Sequence, residues 1–134
     1  KEKDALESYG RNLGLAFQIA DDALDYFSST NIFGKEIGKD FYEGKTTLPL
    51  IIIFQRGNDE ERSFLKEIFK KNKRNEDDFS ETLSLINKYK AVEASFKRAE
   101  YFVNVSYDAL GIFKHSEEKK ILQNLTEFSL NRSF

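Results

Sequence analysis

The chain has 134 residues, enough for one domain or for part of a larger one. Its 21 Lys+Arg and 23 Asp+Glu residues give a formal net charge of -2, which excludes an overall electrostatic attraction to nucleic acid. It has no cysteine, so disulfides and thiolate metal sites are excluded and a reducing, cytoplasmic location is mildly favoured.

Apolar residues recur mostly at intervals of three and four, which predicts an all-α chain. The first helix is predicted from Asp4 to Phe27. Its apolar stripe consists of Leu6, Gly10, Leu13, Phe17, Ala20, Leu24 and Phe27. A long loop rich in Ser, Asn and Gly is predicted at residues 28–45. A second helix is predicted to start near Thr46, with Pro49 in its first turn, where a missing N–H is harmless. Its apolar run is far too short to cross a bilayer.

The later helices have well-marked boundaries. Asn58, Asn75 and Ser116 are predicted N-caps. The acids 77–78 begin a helix, so they are interpreted only as charges that stabilise its N-terminus. A further helical stripe consists of Val92, Phe96, Ala99, Val103, Leu110 and Phe113. The side chains predicted to face inward from the last helix are Ile121, Leu125 and Phe128.

Three carboxylates crowd the end of the first helix, in the stretch FQIADDALDYF. Gln18, Asp21 and Asp25 follow helical spacing along one edge of the apolar stripe, with Asp22 beside them. Negative charge at a helix C-terminus is unfavourable by roughly 0.3–1 kcal/mol. A hard divalent cation would reverse this penalty, because Mg²⁺ is typically held by one or two carboxylates plus substrate phosphates. A solvated acidic helix end is the alternative, and these residues alone leave both interpretations open.

Three linked motifs carry a resemblance to a known family. They are GLAFQIADDALDYF, then GKEIGKD, then EGKTTLP. The matching residues are Gly14, Phe17, Gln18, Asp21, Asp22, Asp25, Gly34, Lys35, Gly38, Asp40, Glu43, Gly44, Lys45, Thr47, Leu48 and Pro49. In this order they resemble the second aspartate-rich region of the trans-isoprenyl diphosphate synthases, the polyprenyl synthetase family. Within it the chain is most similar to the medium- and long-chain bacterial branch, the octaprenyl diphosphate synthases.

The resemblance implies an all-α bundle of the isoprenoid synthase type, with residues 1–134 as the C-terminal portion of its single domain. The first aspartate-rich motif and the isopentenyl diphosphate site would then lie upstream, in agreement with a chain that contains no methionine. The implied activity is Mg²⁺-dependent condensation of isopentenyl diphosphate with an allylic diphosphate, in a homodimer. The alternatives are a non-catalytic helical subunit of a heteromeric synthase and, more weakly, a plain helical interaction module.

The resemblance also assigns roles to individual residues. The implied metal ligands are Asp21, Asp22 and Asp25. The implied substrate-binding residues are Gln18, Lys35 and Lys45. The implied catalytic residues are Asp21, Asp25 and Lys35. Lys39 occupies a variable position of the family pattern and has less weight. The loop at residues 28–45 is expected to be mobile without ligand and to order over the diphosphate, because lysine-to-phosphate contacts would offset the entropy lost on ordering.

Overall fold

The structure is a computed structural model that describes residues 1–27 and 37–130, and all regular elements in these ranges are helices. In chain order they are α1 (Glu2–Leu24), α2 (Lys39–Tyr42), α3 (Leu48–Arg56), α4 (Asp59–Lys70), α5 (Glu76–Lys88), α6 (Ala91–Ala109), a 3-10 turn (Leu110–Ile112) and α7 (Glu117–Leu130). The all-α prediction is confirmed. No helix in the described part of the chain is both long enough and apolar enough to cross a membrane.

The chain divides into two compact units, the first formed by residues 1–20 and 96–134. Its core consists of Tyr9, Leu13, Ala16, Ala99, Val103 and Leu110. The Tyr9 hydroxyl donates to the carbonyl of Leu122 on α7 at 2.9 Å. The Ser106 hydroxyl on α6 donates to the carbonyl of Tyr9 at 3.1 Å. Tyr9 therefore ties α1 to both of the other helices of this unit.

The second unit, residues 21–95, contains the end of α1 and helices α2 to α5. Phe41 of α2 is completely buried at its centre. Four aromatic rings lie 5.3–6.5 Å from the Phe41 ring, those of Tyr26, Tyr42, Phe69 and Phe79. Burying one such side chain contributes roughly 1.5–3 kcal/mol, so this cluster gives α2 an apolar anchor that a four-residue helix cannot provide by itself.

The three predicted N-caps are confirmed, whereas α1 ends at Leu24, three residues before its predicted end at Phe27. Asn58 and Asn75 each form a capping box, with Glu61 and Asp78 as the respective partners. The Ser116 hydroxyl accepts the N–H of Lys119 at 3.1 Å, as an N-cap does. These predictions succeed because a cap involves residues only three positions apart.

Two predicted apolar faces are wrong in part. On α1, Leu6 is 47 % exposed and Gly10 is also exposed, whereas Tyr9, Ala16 and Ala23 are buried. Periodicity identifies a helix, but the face that packs is selected by its neighbours. On α1 the buried face is the one that contains Tyr9, whose hydroxyl donates to a carbonyl of α7.

The same error is larger on α7. The three side chains predicted to face inward are 65, 42 and 60 % exposed, in the order Ile121, Leu125 and Phe128. Thr126 is buried instead and Leu122 is half-buried. Leu122 and Thr126 are four residues apart, so the packed face lies next to the predicted one on the helix. Leu122 packs against the core of the first unit, and its carbonyl accepts the Tyr9 hydroxyl.

The prediction of one continuous loop at residues 28–45 is wrong at Lys39–Tyr42, which form α2. Asp40 and Phe41 are buried there. The first part of that predicted loop, residues 28–36, lies outside the described residues, and so do Gly34 and Lys35.

Candidate functional site

The three carboxylates at the end of α1 occupy different environments. Asp21 is exposed, Asp22 is half-buried and Asp25 is completely buried. α1 ends at Leu24, and the N–H of Asp25 bonds the carbonyl of Asp22 at 3.3 Å, so the chain tightens as it leaves the helix. This tightening turns Asp25 away from the surface that Asp21 occupies.

Asp25 binds the N-terminal end of α2. Its Oδ1 accepts the backbone N–H of Asp40 at 3.0 Å, and its Oδ2 accepts that of Phe41 at 3.1 Å. Its carbonyl also accepts the N–H of Gly38 at 2.9 Å. The first N–H groups of a helix have no partner within the helix, and its dipole favours a negative charge at that end. Asp25 therefore fastens the end of α1 to the start of α2.

Two glycines shape the turns around α2. Gly38 has φ +85°, and Gly44 has φ +80°, a region that L side chains rarely adopt. A Cβ at Gly38 would lie 3.0 Å from the Phe79 ring. Both glycines belong to the sequence motifs, and the structure explains them by backbone geometry.

Lys45 follows the second of these turns. Its N–H donates to the carbonyl of Asp40 at 3.0 Å. Its ammonium Nζ lies 3.5 Å from Asp40 Oδ1 and 4.0 Å from Glu43 Oε1, and the side chain is 60 % exposed. Because Asp40 in turn binds Asp25 through its N–H, direct contacts connect all three motifs.

The interior beneath these residues carries negative charge. Burial, and secondarily the charges of Asp25 and Asp40, raise the pKa of the Tyr26 phenol above its ordinary value of 10.0; the nearby Thr47 hydroxyl acts in the opposite direction. The hydroxyls of Tyr26 and Thr47 are both buried, and neither has a partner at hydrogen-bond geometry among the described residues. The phenol therefore stays protonated near neutral pH.

Asp21 and Asp22 carry oxygen donors of the kind that a divalent cation prefers. Within residues 1–27 and 37–130 there is no group of three or more His, Cys, Asp or Glu side chains arranged to hold a metal by themselves. Asp21 and Asp22 offer carboxylates at or near the surface, and Mg²⁺ commonly takes one or two carboxylates plus phosphate oxygens and water. Both oxygens of Asp25 already accept backbone N–H groups, so its predicted role as a ligand stays a prediction beside an observed structural role.

The structure describes some of the other predicted site residues but not all of them. Gln18 is exposed on α1 and belongs to the first unit. Lys35 lies outside the described residues, and Lys39 is exposed at the start of α2. The sequence analysis assigned no role in the site to Asp40 or Arg74. Arg74 binds the carbonyl of Phe41, which is 33 residues away, so no local pattern could have revealed it.

Comparisons with known proteins agree with the motif resemblance. The polyprenyl synthetase family profile matches residues 1–86. An octaprenyl diphosphate synthase from Haemophilus influenzae is 35 % identical over 133 residues, which cover 99 % of this chain and 40 % of that protein.

Two crystal structures are also similar to the chain. A decaprenyl diphosphate synthase from Rhodobacter capsulatus has a TM-score of 0.88 and 31 % identity, over 99 % of this chain and 41 % of that one. A polyprenyl synthase from Caulobacter crescentus, complexed with calcium and isoprenyl diphosphate, has a TM-score of 0.85 and 37 % identity, over 98 % and 40 %. The chain thus spans about 40 % of the length of these relatives.

Proposed function

The chain belongs to the polyprenyl synthetase family, and from that premise we propose that residues 1–134 are the C-terminal portion of a trans-prenyltransferase. The whole enzyme would condense isopentenyl diphosphate with an allylic diphosphate to give a longer trans-polyprenyl diphosphate. A Mg²⁺ requirement, a homodimer and a cytoplasmic location belong to the same proposal.

One observation carries the proposal. Contacts from Asp25 to Asp40, 15 residues away, and from Asp40 to Lys45 join the three motifs, which supports a shared role of these residues in a diphosphate site. The exposed Asp21 and the half-buried Asp22 belong to the same motif as Asp25. A plain helical interaction module would have no need to join a carboxylate pair to a lysine-bearing turn in this way.

The proposed chemistry requires stabilisation of a leaving group. The allylic C–O bond breaks and its electron pair goes to the diphosphate; the double bond of isopentenyl diphosphate then attacks the allylic carbon, and a proton is lost. Asp21 and Asp22 would hold Mg²⁺, which when bound would supply positive charge to the departing diphosphate. Lys45 would contact the diphosphate oxygens, Lys35 would share this task, and Gln18 would lie near the allylic group. Stabilising charge where it develops is commonly the largest part of such catalysis.

The test is incorporation of labelled isopentenyl diphosphate into an allylic primer. It compares the full-length gene product, the 134-residue chain, and the chain mixed with a separately produced upstream segment. We expect elongation by the full-length protein, none by the chain alone, and recovery in the mixture. Elongation by the chain alone would refute an incomplete site.

The same assay separates the enzyme from the non-catalytic subunit. A full-length protein that is folded, binds a second synthase polypeptide and has no activity without it would support the subunit instead. A Mg²⁺ titration adds a second criterion, because two carboxylates alone make a weak site. Metal binding should tighten when a non-hydrolysable allylic diphosphate is present, and equally tight binding without it would count against the proposed roles of Asp21 and Asp22.

A further inference from the structure

Arg74 lies between α4 and α5, and its guanidinium binds three backbone carbonyls. Its Nε donates to the carbonyl of Phe41 at 3.1 Å. Its Nη1 donates to the carbonyls of Ile68 and Lys71 at 3.1 and 2.9 Å. The guanidinium carbon also lies 5.3 Å from the centre of the Phe69 ring. Arg74 thus joins the end of α2 to the end of α4.

The carbonyl of Phe41 is the link from Arg74 to the motif turn. It also accepts the N–H of Gly44 at 3.0 Å, and Lys45 follows directly. A Cβ added to Gly44 would lie 2.8 Å from Arg74 Nη2. The guanidinium therefore occupies the space that the missing side chain leaves, and Gly44 is required both by its positive φ and by this close approach.

Opposite charges hold the two ends of α2. The Asp25 carboxylate accepts N–H groups at its start, and the Arg74 guanidinium donates to a carbonyl at its end. Each charge suits the helix dipole at its position. A lysine at position 74 would keep the charge but not the planar set of donors that reaches several carbonyls at once.

We infer that Arg74 is a positioning residue for Lys45, because it fixes the end of α2 and the turn through Gly44 from which Lys45 reaches the diphosphate. This inference rests on the proposed function of Lys45. Arg74 contacts no substrate in this role; it acts through the backbone of Phe41 and Gly44. Its loss should impair binding of the allylic diphosphate, as loss of Lys45 should.

The experiment uses the full-length protein that contains this chain. Arg74→Lys should raise the KM for the allylic diphosphate about ten-fold, within the roughly hundred-fold that a misplacement of about 1 Å can cost. In a Lys45→Ala background, Arg74→Lys should add less than about two-fold, since residues that act through one another are not additive. An unchanged KM, or the same ten-fold loss in both backgrounds, would overturn the inference.

Arg62 provides a matched control. It also binds the end of a helix, donating to the carbonyls of Phe54 and Gln55 on α3, and it lies over the Phe54 ring. Arg62→Lys should lower stability without changing the KM. If both arginine variants raise the KM equally, Arg74 has only a general structural role and the inference fails.

Amide hydrogen exchange gives a readout that does not depend on activity. Arg74→Lys should speed exchange at the N–H groups of Gly44 and Lys45, and Arg62→Lys should not. Gly44→Ala, which pushes on the guanidinium from the other side, is a second variant if Arg74→Lys folds poorly, and it should raise the same KM. Fast exchange with an unchanged KM overturns the inference. If Lys45→Ala alone leaves the KM unchanged, the proposed role of Lys45 fails instead, whatever the exchange result.

Discussion

Two acidic clusters in the second unit have similar composition and opposite positions on their helices. Residues 76–78 begin α5, and residues 21–25 end α1. At the start of α5, Asp78 closes a capping box with Asn75 and forms an ion pair with Lys71, which is the main reason that its pKa is lowered. These carboxylates are satisfied within a few residues.

At the end of α1 the helix offers carbonyl groups and no N–H groups, so local satisfaction of this kind is impossible. Asp25 instead reaches the N–H groups of another helix, while Asp21 stays at the surface. The difference teaches that the helix end, more than the residue type, decides whether a carboxylate caps its own helix or binds another one.

The largest expected effect contrasts the surface acids of the two clusters. In the full-length protein, Asp21→Asn should lower turnover by about a hundred-fold or more, the size of effect seen when a stabiliser of developing charge is lost. Asp77→Asn, also at an exposed position, should change turnover less than two-fold, because Asp77 lies in the first turn of α5. Steady-state kinetics with a labelled substrate measures both. Equal losses, or no loss for Asp21→Asn, would remove the functional distinction.

The next effect contrasts the buried acid of each cluster, Asp25 and Asp78. Asp25→Asn should destabilise the protein by roughly 2–3 kcal/mol. The amide has only one acceptor oxygen, so one of the two buried backbone N–H groups is left without an acceptor and the other binds a neutral one. Asp78→Asn should cost about 1 kcal/mol or less, because an amide oxygen can still accept the Asn75 N–H and only the ion pair with Lys71 is lost. Urea unfolding midpoints of the full-length variants measure the order. A larger cost at Asp78 would contradict the different roles assigned to these carboxylates.

A smaller effect extends the comparison from the carboxylates to the turn that they support. Gly44→Ala should destabilise by roughly 1–3 kcal/mol, because its φ of +80° is strained for any other residue. Gly10→Ala is the matched control on α1, where an added Cβ meets nothing within 4 Å. It should stabilise by about 0.8–1 kcal/mol through helix propensity. Thermal unfolding of both variants checks the signs, and two shifts in the same direction would contradict the account.

The smallest effect concerns the pH dependence of the stabilisation provided by Glu61, an acid in the first turn of α4. The Lys88 ammonium, then the Tyr89 hydroxyl and the Asn58 N–H, lower the pKa of Glu61 from 4.5 to about 2. Because the folded pKa lies below the unfolded one, its stabilising contribution is present above pH 4.5 and is lost as the pH falls from 4.5 towards 2. The unfolding midpoints of wild type and Glu61→Gln should therefore converge between pH 7 and pH 2. A difference that is constant with pH would be inconsistent with this ion pair.

The sequence was a sufficient guide wherever stabilisation is local. The caps at Asn58, Asn75 and Ser116 follow from residues three positions apart, and the motif resemblance located the acidic end of α1. α2 could not be predicted, because a four-residue helix has almost no stability of its own. It depends on Asp25, Phe41 and Arg74, whose contacts join distant parts of the chain.

The prediction of the apolar face of α7 was wrong for a related reason. Two adjacent stripes on that helix have suitable periodicity, and the choice between them depends on Tyr9 and its neighbours on other helices. In the candidate site too, local pattern predicts one part and distant contacts decide the other. Its carboxylates were identified from their spacing, but the separate environment of Asp25 is decided by contacts with Asp40 and Phe41.

The double hydrogen bond of Asp25 has a consequence for judging which homologous sequences are active enzymes. A buried carboxylate needed for folding is retained by selection even after catalysis is lost, whereas Asp21 is exposed and Asp22 is only half-buried, so their replacement disturbs the interior less. A paralogue that has become a silent subunit should therefore keep the third aspartate of the motif and lose the first two. The first two positions, and not the complete motif, are then the ones that diagnose activity, and assaying paralogues of each kind would check this.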